Sequence, residues 1–344
     1  MLRAVPILFA LAPLLPAQQP AAAPCDLIHS VGERRDGQQA LANKDYAAAA
    51  QAFQQAFAAC PSQHSVLLEL SEANLRQREW PAAIRAAQQF VDLEPGSVPG
   101  RLTLANAYFM SQRLPEALEQ TKIVLQKDPS QDVALKLKGN IEYLGGQLDN
   151  ALDTFILLLD RHPGDDEAAY MLGRIYYQEK RIDYAIGQFQ RALKINPQSY
   201  KAYDNLGLCY QALGDTEMAT RYFLTAIKLV EKDHPEYDWA YANLSSLLFD
   251  KGDFYKAYAA ASMAAHRNPY SARNFYFGGK ALAKLGKNEL CVNWLERSVA
   301  LDPKYPEPLY LLARVYSQMG QPDKAKAALE KFQELKATTP RERK

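Results

Sequence analysis

The segment DEAAYMLGRIYYQEKRIDYAIGQFQRALKINPQS, residues 166–199, decides the fold of this chain. It carries a proline near its end, and prolines recur at one interval on both sides of it. Pro61, Pro95, Pro129, Pro163 and Pro197 are each 34 residues apart, and after a step of 38 to Pro235 the interval of 34 returns with Pro269 and Pro303. A fixed period of this length indicates one small structural unit repeated along the chain, not a single compact globule.

Residue types recur inside each unit when positions are counted from 31 residues before the proline. Positions 4, 7, 8 and 11 are spaced for one face of a first helix, A, and positions 20, 24 and 27 for a second helix, B. Small residues at 8 and 20 mark the closest approach of the two helices, and the proline at 32 ends helix B. In residues 166–199 the marked positions hold Leu172, Gly173, Tyr176, Ala185, Phe189, Ala192 and Pro197.

Nine such units cover residues 30–339: 30–63, 64–97, 98–131, 132–165, 166–199, 200–237, 238–271, 272–305 and 306–339. This pattern resembles the tetratricopeptide repeat. The resemblance implies an all-α fold, namely a right-handed superhelical α-solenoid of about nine helix-turn-helix repeats. The four extra residues that follow Val230 predict a helix B one turn longer in unit 200–237.

The N-terminus reads as a targeting segment. Arg3 precedes an apolar run and small residues, so residues 1–17 are predicted to be a signal peptide, followed by a linker at 18–29. We therefore expect an exported protein, periplasmic or secreted, with no integral membrane segment once the signal is removed. A lipid anchor at Cys25 and a disordered apolar start on a cytosolic protein are the alternatives. Residues 340–344 are predicted to be a solvated tail.

Composition and motifs argue against several kinds of chemistry. Lys and Arg number 40 and Asp and Glu 39, so there is no electrostatic case for nucleic acid. Three of the five histidines, His162, His234 and His266, lie near unit ends, no two of the five are four residues apart, and no nucleophile or phosphate-loop motif is present. We therefore expect no enzymatic activity, no metal site and no cofactor.

The four cysteines divide into two kinds. Cys209 and Cys291 lie on predicted helices in separate units and read as buried free thiols. Cys60 ends helix B of the first unit, and in an antiparallel hairpin that end returns to the start of helix A, a few residues after Cys25. An oxidising compartment would allow these two to form a disulfide.

Residues that face the groove follow from the family resemblance, which places positions 2, 5, 6, 9, 12 and 13 of each helix A on the concave side. The predicted partner-binding residues are Lys136, Asn140, Tyr143, Tyr170, Arg174, Tyr177, Lys201, Asn205, Trp239, Asn243, Arg273, Tyr276, Lys280, Tyr310 and Arg314. A tyrosine at 5 with a base at 9 recurs three times, which favours an extended, acidic peptide.

Two functions follow from this groove. The first is a scaffold that binds a protein or peptide partner, in envelope assembly or secretion. The alternative is a polysaccharide-binding or export-associated array, since stacked aromatic rings also suit sugars. The pairing of aromatic residues with bases favours the first, although acidic sugars keep the second open.

Overall fold

The structure is a computed structural model that describes residues 25–338. Within that range the chain forms eighteen α-helices and no strand. The helices are α1 Leu27–Ala42, α2 Tyr46–Ala59, α3 Val66–Gln77, α4 Trp80–Leu93, α5 Val98–Met110, α6 Leu114–Lys127, α7 Asp132–Leu144, α8 Leu148–Arg161, α9 Asp166–Gln178, α10 Ile182–Ile195, α11 Tyr200–Ala212, α12 Thr216–Asp233, α13 Trp239–Asp250, α14 Phe254–Arg267, α15 Ala272–Lys284, α16 Asn288–Leu301, α17 Pro306–Gln318 and α18 Pro322–Thr338. The all-α repeat prediction is confirmed. The predicted signal peptide and tail, and most of the predicted linker, lie outside the described residues.

The chain divides into two compact units, one ending at Leu137 and the other beginning at Lys138. In each unit successive helices pack as hairpins, for example α1 on α2 and α3 on α4 in the first, and α9 on α10 and α17 on α18 in the second. None of the helices in residues 25–338 combines the length and apolar character needed to cross a bilayer.

In four hairpins a phenylalanine ring at position 24 packs on a glycine at position 8. Gly173 on α9 lies under the ring of Phe189 on α10, so closely that a Cβ atom at residue 173 would fall 2.6 Å from the ring. Gly139 faces Phe155 in the same way, at 2.8 Å. Both phenylalanines are fully buried. Position 8 therefore has to be glycine wherever position 24 places a ring against the backbone.

In the two units with serine at position 8, the side chain hydrogen-bonds to the backbone at position 20. The Ser71 hydroxyl donates a hydrogen bond to the carbonyl of Ala83 at 2.9 Å, and Ser245 donates to Ala257 at 2.8 Å. Both serines are buried. These bonds place the two helices in contact at positions 8 and 20, the positions predicted for their closest approach.

The predicted extension of one helix is also confirmed. Helix α12 has 18 residues, whereas α10 and α14 have 14 each. Arg267 of α14 caps its end by donating hydrogen bonds to the carbonyls of Val230 and His234 at 3.4 and 3.2 Å. The same guanidinium lies over the ring of Tyr241 at 4.6 Å. The added turn is thus held by a side chain from the following hairpin.

The predicted linker was wrong for its last three residues, because α1 begins at Leu27. The carboxylate of Asp26 accepts a hydrogen bond from the His29 amide at 3.0 Å and so caps the helix. The amide of Asp26 donates to the carbonyl of Ala59 at 2.8 Å, which fixes this start beside the end of α2. With this cap and this bond, α1 begins three residues before residue 30, the start of the first predicted unit.

A disulfide joins Cys25 and Cys60 at the same end of the first hairpin. Cys60 is only 1% exposed. Cys209 and Cys291 are buried and free. The bond ties the start of α1 to the residue that follows α2, and closes a loop with a sequence separation of 35 residues.

Replacing Gly173 by alanine should destabilise the protein by about 1–3 kcal/mol, because the added methyl group overlaps the buried Phe189 ring. Gly187 on the partner helix α10 is the matched control, since a Cβ there meets nothing within 4 Å. Gly187→Ala should stabilise by about 0.5–1 kcal/mol through helix propensity alone. Urea unfolding of both variants measures the difference. Equal effects at the two sites would contradict the proposed ring contact.

Removing the disulfide through Cys25→Ser and Cys60→Ser together should lower stability by about 3–4 kcal/mol on the chain-entropy estimate. Thiol alkylation of denatured protein checks the bond itself. Two of the four cysteines should react before reduction and all four after it, with Cys209 and Cys291 as the internal standard. Four reactive thiols without reductant would show that the bond is absent.

Candidate functional site

The predicted binding residues lie on the first helices of the hairpins. Lys136 belongs to the unit that ends at Leu137, and the other fourteen belong to the unit that begins at Lys138. These are Asn140 and Tyr143 on α7, Tyr170, Arg174 and Tyr177 on α9, Lys201 and Asn205 on α11, Trp239 and Asn243 on α13, Arg273, Tyr276 and Lys280 on α15, and Tyr310 and Arg314 on α17. Their surroundings differ, and the difference decides which of them are open to a partner.

Arg174 is held by aromatic rings of its own protein. Its guanidinium lies 4.6 Å from the ring of Tyr143 and 5.9 Å from that of Tyr170. The Tyr170 hydroxyl accepts a hydrogen bond from the Asn205 amide at 3.3 Å. Burial raises the pKa of Tyr170 to about 12. The first of the three Tyr–base pairs, Tyr170 with Arg174, therefore packs against neighbouring helices of its own unit and leaves little surface for a partner.

A buried carboxylate organises the next part of the wall. Asp204, 2% exposed, accepts hydrogen bonds from the Tyr237 hydroxyl at 2.7 Å and from the Asn243 amide at 2.9 Å. Burial raises the pKa of the Asp204 carboxyl, and it raises that of Tyr237 beside it. Asn243 was predicted to face a partner, but it is buried and its amide points inward to Asp204.

Arg273 lies on the exposed indole of Trp239, with 3.8 Å between the guanidinium carbon and the ring centre. Trp239 is 53% exposed. Two buried aspartates, Asp204 and Asp238, lie near enough to act on Arg273 electrostatically, yet neither forms an ion pair with it within the described residues. Asp238 instead accepts a hydrogen bond from the Asn274 amide at 2.6 Å. Arg273 therefore stacks on Trp239 without an ion-pair partner in the described residues, and its Nη2 atom is buried without a hydrogen-bond partner.

Four predicted residues do come together around one open cavity, which we name the basic pocket. Its volume is about 510 Å³. The lining residues are Phe249, Tyr276, Lys280, Ala283, Lys284, Glu307, Tyr310, Leu311, Arg314, Val315, Gln318, Phe332 and Lys336. Two of the three predicted Tyr–base pairs therefore meet in a single site, formed by α15 and α17 with additions from α13 and α18.

The charges of the basic pocket are unbalanced. It has four cationic side chains, Lys280, Lys284, Arg314 and Lys336, against the single carboxylate of Glu307. Among residues 25–338 no carboxylate lies within 4.0 Å of any of these four cations. Ammonium groups without internal partners attract anions, and the low-dielectric wall of a cleft strengthens that field.

Aromatic rings form much of the pocket wall. The ammonium group of Lys280 lies 4.0 Å from the centre of the Phe249 ring. The rings of Tyr310 and Phe332 are 5.2 Å apart, and Tyr276 packs edge-on against Tyr305 at 5.3 Å. Burial raises the pKa of Tyr276. The site therefore combines an apolar wall with positive charge.

The other predicted residues stay apart from this pocket. Lys201 is exposed, and its ammonium group lies 5.9 Å from the ring of Tyr200. Tyr177 is partly buried near Cys209, and burial raises its pKa. Lys136 and Asn140 are partly exposed on α7. No group of three or more His, Cys, Asp or Glu side chains placed to bind a metal occurs in residues 25–338.

Sequence reasoning missed several residues that shape this unit. Phe332 and Lys336 line the basic pocket from a helix B, whereas only helix A positions were predicted to face the groove. Asp204 and Tyr237 were also missed. Signals existed for both: Asp204 occupies position 5, where other units carry tyrosine, and Tyr237 is the last residue of the one unit that is four residues longer than the others.

Comparison with known proteins agrees with this architecture. Profiles described as "TPR repeat" or "Tetratricopeptide repeat" match residues 35–98, 102–165, 173–214, 200–233 and 292–341. The chain belongs to the tetratricopeptide repeat family. No curated protein sequence matches it significantly.

Two solved structures share the tetratricopeptide fold. A tetratricopeptide repeat protein from Parabacteroides merdae is 18% identical with a TM-score of 0.58, and the match covers 77% of this chain and 98% of that one. The Cut9–Hcn1 structure is 16% identical with a TM-score of 0.63, and covers 81% of this chain and 54% of that one. At these identities the likeness concerns the fold alone.

Replacing Asp204 by asparagine should change how stability responds to pH. Burial raises the pKa of this carboxyl, so the folded state retains a proton that the unfolded chain has already released. Stability contributed by this group therefore falls as the pH rises from about 3.9 through the raised value. The Tm of the wild type minus that of Asp204→Asn should be smaller at pH 8 than at pH 4. A difference that does not vary with pH, or grows towards pH 8, would contradict the assignment.

Proposed function

We propose that this tetratricopeptide repeat protein is a non-enzymatic scaffold that binds an acidic segment of a partner protein in the basic pocket. Repeats of this family generally mediate protein–protein interactions. The observation that supports this pocket is its set of four cations with one carboxylate and, within residues 25–338, no ion pair to any of the four.

The positions of the residues support a bound protein segment. Tyr276 with Lys280 and Tyr310 with Arg314 are each one helical turn apart on neighbouring first helices, α15 and α17. They therefore present two parallel rows of ring and cation. A pocket that is open to solvent on one side admits a chain that continues past it at both ends, as a protein segment must.

We also propose that the protein is exported and acts in envelope assembly or secretion. Two features support this: the apolar N-terminal segment with its preceding arginine, and the disulfide between Cys25 and Cys60. Disulfides persist in oxidising compartments and are uncommon in the cytosol.

The proposal is tested by selecting peptide ligands from a random library. Phage-displayed random twelve-residue peptides are panned against residues 18–344, and enriched peptides are synthesised and measured by fluorescence anisotropy. We expect enrichment of acidic sequences whose affinity falls with added salt. Replacing Lys280 and Arg314 together by alanine should weaken binding at least tenfold, because each lost charge-assisted hydrogen bond is worth about 1.5–3 kcal/mol.

The matched control removes the same charge outside the pocket. Lys228 and Lys251 line a separate open surface, and replacing both by alanine should leave peptide affinity unchanged. Equal losses in the two double variants would show that net charge alone governs binding. Enrichment of neutral or basic peptides, or binding of polyuronate with no peptide enriched, would overturn the proposal, the latter in favour of the polysaccharide function.

A further inference from the structure

The basic pocket contains an apolar surface that an acidic segment alone would not cover. Phe249, Ala283, Leu311 and Phe332 line it together with the ring of Tyr310, which is 47% exposed. Carboxylates and backbone do not displace water from such a surface favourably, whereas an aromatic side chain does. A ligand that covers this apolar surface therefore needs one large apolar group in addition to its negative charge.

The cations surround this apolar wall instead of gathering at one end. Lys280 and Lys284 lie one turn apart on α15, Arg314 lies on α17, and Lys336 lies on α18. Three helices thus supply charge around a common centre. A ligand side chain that enters the centre would have cations on both sides of it. The ligand residues on either side should therefore carry carboxylates, which pair with cations from different helices.

We propose that the occupant is an internal peptide segment in which one aromatic side chain is flanked on both sides by acidic residues. The inference rests on the proposed function and adds the anchor that gives it specificity. The ring enters between Phe332, Leu311 and Ala283, and the flanking carboxylates pair with the surrounding cations. A cavity of about 510 Å³ has room for such a ring together with part of its backbone.

The chain's own tail does not supply this occupant. The residues after α18 carry Arg341, Arg343 and Lys344 against Glu342, so their charge has the same sign as that of the pocket. They also contain no aromatic residue. Charge complementarity therefore points to another protein.

The test uses two synthetic peptides, fluorescein–Gly–Glu–Glu–Phe–Glu–Glu–Gly–amide and the same peptide with alanine in place of phenylalanine. The amidated end removes the terminal carboxylate, so any binding comes from internal residues. We expect the phenylalanine peptide to bind residues 18–344 at least tenfold more tightly than the alanine peptide, in anisotropy titrations at constant salt. Equal affinities would overturn the inference.

Protein variants separate the anchor from the charges. Phe332→Ala should bring the affinities for the phenylalanine and alanine peptides to within about twofold of each other, and urea unfolding of the variant checks that it is folded. Arg314→Ala should weaken both peptides by the same factor. If both peptides bind equally and Arg314→Ala weakens both, the proposed function stands and the aromatic anchor is refuted. If neither peptide binds the wild type, the proposed function itself fails.

Discussion

Every hairpin in this protein depends on how closely two antiparallel helices can approach. In four hairpins a phenylalanine ring on the second helix lies against a glycine on the first, as in Phe189 on Gly173, and in two others a buried serine bonds to the opposite backbone. Because interiors pack as densely as organic crystals, one methyl group at this contact displaces the ring. The spacing of the helices, and so the placement of the side chains on their outer faces, follows from this contact.

The polar residues around α11 and α13 differ from those of the basic pocket in whether they have partners within the protein. Around α11 and α13, polar side chains bond to one another: Asp204 accepts from Tyr237 and Asn243, and Asp238 accepts from Asn274. Around α15 and α17 the cations have no carboxylate within ion-pair distance in the described part of the chain. Buried polar groups that satisfy each other stabilise a unique geometry, whereas unpaired cations in a cleft are available to a ligand.

Particular residues show how far sequence reasoning reached. The pairs Tyr276 with Lys280 and Tyr310 with Arg314 were predicted from the helix positions that the family resemblance places in the groove, and the structure brings both to one pocket. Asn243 was predicted by the same rule, but it bonds to a buried aspartate. A one-dimensional pattern assigns a residue to a helix face without stating what the neighbouring helix places opposite it. Phe332 was missed for the same reason.

The sequence by itself determined the helical repeat, the proline that follows helix B in eight of the nine units and the small residues at the closest approach. These depend on contacts within one hairpin, between residues fewer than 34 positions apart, and each is marked by glycine, proline or an apolar period. Only the tertiary structure decided which groove residues are free. That depends on side chains from successive hairpins, such as Asp204 with Asn243 or Phe249 with Lys280, and no local pattern records which charges will find an internal partner.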